Sequence, residues 1–448
     1  MSEQRVDMPN HAQWPTTTLE NLCEVISRGK GPRYVEASTV NAIGQRCITD
    51  KGFDPSLSRP HDDKVMGGHL IPAGGDVLLN STGTGTIGRS SVFDGHGNFI
   101  VDSHVTLLRP RNNQVDPRWL NELLRNPRFQ RHLEANCYTG STNQLELSRS
   151  QLMKASVPTP SHEEQRFFAH ILDTLDTQIQ KTEALIAKLE KVKEGMLHDL
   201  LTRGIDENGQ LRPSPEQAPE LYKESPLGLI PREWECQTLG EIARILHGYA
   251  FEGEFFSDKP EGKRLLTPGN FHRNGGLYFE PGNSKWFTGK IPSGYVLSDS
   301  DAVTVMTDLS PKTLILGRAV VLGEGEDLLH NQRIGKISLR DQSVNCIDFV
   351  VLAINSQKFR HQVVAEATGT TVRHTSPERM MSVKMATPPK AEQLRIDSAY
   401  RATKTKIHSE KSTLRKLNYE KASLMDDLLT GRVRVTPLLD QAQATTPA

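Results

Sequence analysis

"TGSTNQLELSRSQLMKASVPTPSHEEQ", residues 139–165, and "TGTTVRHTSPERMMSVKMATPPKAEQ", residues 368–393, are two writings of one pattern. Thr139, Gly140 and Thr142 fall on Thr368, Gly369 and Thr371. After a one-residue gap, Ser148 falls on Ser376, Met153 on Met381, Pro160 on Pro388 and Glu164-Gln165 on Glu392-Gln393. The register persists to "DLLT", where Asp199 to Thr202 meets Asp427 to Thr430 at an offset of 228. Upstream, "WPTTTLENLCEVI" from Trp14 resembles "WECQTLGEIARIL" from Trp234. A pattern repeated at this period is a repeated structural unit. The ends match and the middles share little, so the chain reads as a tandem duplication with diverged centres.

Each copy closes on a long helix. Between Ser161 and Arg203 there is no proline, and the only glycine is Gly195. Phe168, Leu172, Leu175, Ile179, Ile186, Leu189, Val192, Met196 and Leu200 recur at coiled-coil steps. Ser161 with Glu164 makes a capping box, and Gly204 is a C-terminal stop. The second helix is expected from about Lys390 to Thr430, closed by Gly431, with Leu394, Ile396, Tyr400, Ile407, Leu414, Leu417 and Leu424. At ~1.5 Å per residue each helix is a rod of about 60 Å. A stripe that long must be covered, and the natural cover is the other helix, antiparallel if the copies are related by a pseudo-two-fold.

The expected fold class is therefore α+β, with two similar globular domains joined by two long helices in an antiparallel coiled coil. The divisions are a first domain at 1–159, a helix at 160–204, a proline-rich linker at 205–232, a second domain at 233–388, a helix at 389–434 and a tail at 435–448. Within the domains "DVLLN", "NFIVDSHVTLLRP", "KTLILGRAVVLG" and "CIDFVVLAINS" read as strands. Short helices are expected at Pro117 to Leu124 and Ser356 to Ala367.

Composition narrows the function. The 448 residues contain 54 Lys plus Arg and 54 Asp plus Glu, so net charge marks no partner, although a neutral total can hide a basic face. Five scattered cysteines, never in C-x-x-C spacing, argue against a zinc site or a disulfide framework and suit a reducing cytosol. No apolar run approaches the ~20 residues of a membrane span, and the polar start has no signal-peptide core. The expected location is cytoplasmic.

One motif invites a nucleotide. In "GDVLLNSTGTGTIGRSSVF", residues 75–93, Gly83, Gly85 and Gly88 spell G-x-G-x-x-G after a strand. A dinucleotide fingerprint must then open a helix, yet "RSSVFDGHGNFIVD" continues as strand, so a glycine-threonine hairpin is the better reading. No G-x-x-x-x-G-K-[ST] occurs, and "HEEQR" at 162–166 has Arg166 where a zincin needs its second histidine. "NPRF" at 126–129 lacks the second proline of an amino-methyltransferase tetrad. No catalytic or metal constellation is found.

Two diverged domains, two matched rods and no catalytic equipment resemble the specificity subunit of type I restriction-modification systems, over essentially the whole chain. The paired blocks quoted above carry the resemblance, with the Trp-x-x-x-Thr-Leu openings, "GDVLLNSTGTGTIG" and "LLHNQRIGKI" at 328–337. The resemblance implies two target recognition domains, each reading one half of a bipartite double-stranded DNA site. It implies spacer helices that dock two modification subunits, and motor-nuclease restriction subunits in the same complex. Cofactors (S-adenosylmethionine, ATP and Mg) would belong to those partners and not to this chain.

Bases are read chiefly by Arg, Lys, Asn and Gln, and phosphates by basic, hydroxyl and backbone N–H groups. The candidates in the first domain are Asn80, Ser81, Thr82, Thr84, Thr86 and Arg89, with Ser141, Thr142, Asn143 and Gln144. Those in the second are Arg318, Asn331, Gln332, Arg333, Thr370, Thr371 and Arg373. Leu172, Leu175, Ile179, Leu189, Ile407, Leu414 and Leu417 are the candidates for the docking helices. Two other classes stay open: a nucleotide enzyme using Gly83 to Gly88, and a coiled-coil scaffold that reads no sequence.

Overall fold

The computed structural model describes residues 4–435 except 141–144, 311, 324 and 326. The long helices form as the periodicity requires, over His162–Thr202 and Lys390–Leu429. At the first N-terminus Ser161 N and Oγ donate to Glu164 Oε2 at 3.0 and 3.1 Å. Gly204 and Gly431 end the helices at φ 69° and 68°, a conformation that glycine adopts without strain.

The chain divides into two compact units, 1–184 with 412–448 and 185–411. The division cuts both helices midway rather than at their ends, so each unit owns half of each rod. In the first unit Leu172 shares a core with Leu428 and Leu429, and Lys421 Nζ lies 2.7 Å from Asp176. In the second unit Leu200 shares a core with Ile396, Thr403 Oγ1 lies 3.6 Å from Met196 Sδ, and Lys411 pairs with Glu190 at 2.8 Å. Within each unit the partner's number falls as the first helix's rises, so the pairing is antiparallel.

The diverged middles share one topology. In the first unit an antiparallel sheet orders Cys23–Arg28, Val105–Pro110, Val77–Asn80 and Ser90–Val92. The second orders Ala243–His247, Ile334–Leu339, Ala302–Val305 and Ala319–Val321, also antiparallel throughout. A second sheet follows in each. Phe99–Val101 lies parallel to Val40–Ile43, which lies antiparallel to Arg59–His61. Its counterpart sets Leu328–His330 parallel to Lys263–Leu266, antiparallel to Lys285–Phe287, and adds two edge strands. The opening strands Thr16–Thr18 and Glu235–Thr238 pair with Ala155–Pro158 and Lys384–Thr387. The duplication is therefore one of fold as well as of sequence, in the α+β class expected.

Three expectations change. "CIDFVVLAINS" is not a strand but the helix Ile347–Ile354. Its residues from Phe349 to Ile354 are all buried, and an apolar run buried on every side has no period to distinguish the two states. In "KTLILGRAVVLG" only Ala319–Val321 is a strand, because the preceding residues form a turn around Gly317. The segment 205–232 is not a bare linker: Ile205, Tyr222 and Ile230 are buried, and Tyr222–Lys223 pairs with Ile230–Pro231. Arg212 anchors it with Nη2 2.9 Å from Glu392 Oε2, an oxygen that Trp234 Nε1 also reaches at 3.1 Å.

Candidate nucleic-acid interface

In each unit three loops meet beyond the same edge of the main sheet. The first is the turn entering the central strand. Asp102 Oδ1 accepts the His104 N–H at 3.1 Å, and Asn331 Oδ1 accepts the Arg333 N–H at 3.0 Å. The next hairpin leans on that turn, Ser81 N donating to His104 O and Met306 N to Arg333 O, both at 2.9 Å. The third is the Thr-Gly loop, tied in by Leu147 N to Ser81 O at 2.8 Å and by Thr375 N to Met306 O at 3.0 Å. The sequence candidates of both repeats are thus brought together, the described ones on these loops.

The glycine motif is the hairpin between Val77–Asn80 and Ser90–Val92. Gly83, Gly85 and Gly88 have φ of 101°, 77° and 85°, and a strand follows. A pyrophosphate site at a helix N-terminus needs a helix there, so the dinucleotide reading fails on geometry. Its counterpart runs from Met306 to Arg318: Gly88 N donates to Asn80 O at 3.0 Å and Gly317 N to Val305 O at 2.9 Å. Arg89 and Arg318 thereby occupy equivalent places.

Position does not mean availability. Asn80 is fully buried, its Nδ2 donating to Gln45 O and Thr86 O at 3.1 and 3.2 Å. Ser81, also buried, bonds Thr106 Oγ1. Thr82 Oγ1 lies 2.7 Å from His104 Nδ1, and Thr86 Oγ1 donates inside the turn. These four hold the loop's shape. Thr84 is exposed, and half-buried Arg89 lies 3.2 Å from Asp50. Ser141, Thr142, Asn143 and Gln144 lie outside the described residues.

In the second unit Gln332, Arg333, Thr370 and Thr371 are exposed, while Asn331 is buried as the turn's acceptor. Arg373 donates to Gly369 O at 3.0 Å and Val364 O at 3.2 Å, bracing its own loop. Arg318 Nη2 donates to Arg273 O at 2.8 Å. Burial lowers the Arg318 pKa, and burial first, then the neighbouring Arg318, brings Arg360 down to about 10. Arg360 donates to Thr313 O, Leu314 O and Leu316 O, so it braces the hairpin that carries Arg318.

Sequence reasoning missed the loop after Cys23–Arg28. Gly29 and Gly248 sit against the turn so closely that a Cβ would meet Asp102 O or Asn331 O inside 3.0 Å. Arg28 pairs with Glu146 of the Thr-Gly loop at 3.0 Å, and that hydrogen bond holds the Glu146 carboxyl below its usual range. Arg59 stacks on Tyr34. The signal was "RGKGPRY", a basic, glycine-spaced run at the end of a strand. Among the docking candidates, Leu172, Ile179 and Ile407 are buried and Leu175, Leu189, Leu414 and Leu417 half-buried. The exposed apolar side chains on the helices are Leu185, Val192, Leu394 and Tyr419. Among the described residues no cluster of His, Cys, Asp and Glu is arranged to hold a metal, and no helix is long and apolar enough to cross a membrane.

Two repeats of one α+β module, each with a paired segment of both long helices, define a class of tandem two-domain proteins. Residues 13–191 match the family described as the Type I restriction modification DNA specificity domain. The chain is 25% identical over 441 residues to a protein assigned as the MjaX type I restriction enzyme specificity subunit of Methanocaldococcus jannaschii, covering 94% of each. It is 23% identical over 381 residues to the MjaVIII specificity subunit of the same organism, covering 84% of this chain and 83% of that one. The type I restriction-modification S subunit from M. genitalium superposes with a TM-score of 0.55 at 13% identity, over 94% of this chain and 99% of that one. Residues 13–191 thus carry the type I restriction modification DNA specificity domain, and over nearly its whole length the chain is similar to type I specificity subunits.

Proposed function

We propose that this chain supplies DNA sequence specificity to a type I restriction-modification complex, each unit reading one half of a bipartite double-stranded site. The observation that carries the reading is the repeated three-loop surface: one backbone frame in two copies, presenting different side chains. Arg333 stands where the first unit has His104, and His374 where it has Glu146. A frame kept constant with variable side chains suits two readers of two sequences.

On this reading Thr84 and Arg89 contact DNA from the first hairpin, and Gln332, Arg333, Thr370 and Thr371 from the second surface. Arg318, beside Arg360, faces the phosphate backbone. The paired helices fix the spacer, and Leu185, Val192, Leu394 and Tyr419 belong to the face that docks two modification subunits, with restriction subunits joining the same assembly in the cytoplasm. Methyl transfer and ATP-driven chemistry, with S-adenosylmethionine, ATP and Mg, reside in those partners.

The test is to map N6-methyladenine in cells carrying this chain and its modification partner. A gapped motif whose first half alone changes when residues 12–158 are exchanged for a homologue's supports the reading. The absence of a gapped motif, or a motif indifferent to the exchange, overturns it in favour of a scaffold.

A further inference from the structure

The arginines around the first unit's surface are not alike. Arg28, Arg33 and Arg89 each have a carboxylate: Glu146 at 3.0 Å, Asp62 at 3.5 Å and Asp50 at 3.2 Å. Arg59 has a ring instead, its guanidinium carbon 3.7 Å from the centroid of Tyr34. Among the described residues no carboxylate pairs with it, and its side chain is exposed.

The platform beneath Arg59 is fixed by the loop frame itself. The Tyr34 hydroxyl donates to Asp102 Oδ2 at 2.8 Å. Asp102 Oδ1 accepts from Ser103 Oγ at 3.0 Å and from the His104 N–H at 3.1 Å. One carboxylate, on a residue 3% exposed, therefore sets both the ring under Arg59 and the turn that carries His104. Tyr34 also bridges to His61, two residues from Arg59 on the same strand.

Stacking covers the face of a guanidinium and leaves its edge donors free, while holding their plane. A planar fork in a fixed plane matches the paired O6 and N7 acceptors of guanine in the major groove. A phosphate contact requires no such fixing. In the second unit the tyrosine at the equivalent turn is used differently: Tyr249 bridges to Asn331, the counterpart of Asp102, but its ring meets Phe251 at 5.1 Å and Tyr295 at 5.3 Å. The arginine stacked on rings there is Arg264, 4.7 Å from Phe279 and 5.5 Å from Trp286.

We propose that Arg59 is a specificity-determining residue that reads a guanine in the half-site of the first unit, with Tyr34 and Asp102 as positioning residues. The proposal rests on the DNA-reading function above and names the base class that one side chain selects.

Arg59→Ala, Arg59→Lys and Tyr34→Leu are tested in the full chain, assembled with its modification subunits. The readouts are N6-methyladenine mapping and competition between duplexes that differ at single positions. One guanine position in the first half-site becomes degenerate in both Arg59 variants, with discrimination falling roughly 5- to 100-fold. Lysine fails to rescue because a point charge lacks the fork. Tyr34→Leu weakens the same position and no other. The second half-site stays unchanged, which shows that the variants fold. A first half-site without guanine on either strand, or a motif unchanged by Arg59→Ala, overturns the proposal. So does an equal loss on all sequences with a salt slope smaller by about one, the signature of a phosphate contact. If the unmodified chain yields no gapped motif, both this proposal and the function beneath it fall.

Discussion

Asp102 in the first unit and Asn331 in the second are structural equivalents, each side-chain oxygen accepting the backbone N–H two residues on, at 3.1 and 3.0 Å. The frame needs only an acceptor at this place, not a charge. Asp102→Asn is therefore expected to keep the fold, while Asp102→Ala removes the acceptor of three part-buried hydrogen bonds, at about 1–3 kcal/mol. Thermal unfolding of the two variants checks the difference; equal destabilisation would contradict it.

The glycines beside that turn are constrained by space rather than by φ. Gly29→Ala would press a Cβ against Val101 O and Asp102 O, and Gly248→Ala against His330 O and Asn331 O, all backbone atoms unable to step aside. Each substitution should destabilise by about 1–3 kcal/mol and impair one half-site only. Gly253→Ala, where a Cβ meets nothing within 4 Å, is the matched control and should stay within about 0.5 kcal/mol.

Glu392 is the anchor of the strap that follows the first long helix. Its carboxylate accepts from Ile205 N at 2.9 Å, from both terminal nitrogens of Arg212 and from Trp234 Nε1. Removing it leaves half-buried Arg212 with Glu233 at 3.5 Å but takes the acceptor from the buried Trp234 Nε1, so Glu392→Ala should cost about 1–3 kcal/mol. A calorimetric midpoint shift no larger than that of a surface substitution would show the network to be incidental.

On the proposed function, packing and docking separate along the helices. Leu172→Ala empties a buried site and should cost about 2–5 kcal/mol. Tyr419, 78% exposed, should change stability by less than about 0.5 kcal/mol when replaced by serine, yet weaken co-purification with the modification subunits. Undiminished co-purification would remove Tyr419 from the docking face.

Acid should loosen both units through buried histidines. Burial lowers the pKa of His132 and, foremost among several causes, of His330. The unfolded chain then binds protons at a higher pH than the folded one. Stability is full above the ordinary histidine value of ~6.5 and is lost as pH falls through the folded values. The unfolding midpoint should drop as pH falls below about 6.5, and His132→Phe should flatten the slope. An unaltered slope in that variant would assign the acid sensitivity elsewhere.

The helices were legible because their signal is one-dimensional. A stripe at steps of three, four and seven, with Ser161 and Glu164 before it and Gly204 after it, specifies a helix wherever it lies. The hairpin at Gly83 to Gly88 was legible for a similar reason, since "RSSV" continues the strand pattern. The candidate surface was half legible. Thr84, Arg89, Gln332 and Arg333 sit on the converging loops and reach solvent or the surface. Asn80, Ser81 and Thr82 carry the same polar signal but face inward, because the hairpin needs partners for its own backbone.

Repetition and period are properties of a string, so the linear order of residues already specified a duplication with two capped rods. That the diverged middles share one sheet order emerged only in three dimensions. Folding also joined Tyr34, Arg59 and Asp102, far apart in the chain, into one device. Strand pairing is a contact between distant residues, and many different apolar side chains satisfy the same buried ladder. Identity at those positions can therefore vanish while the topology stays.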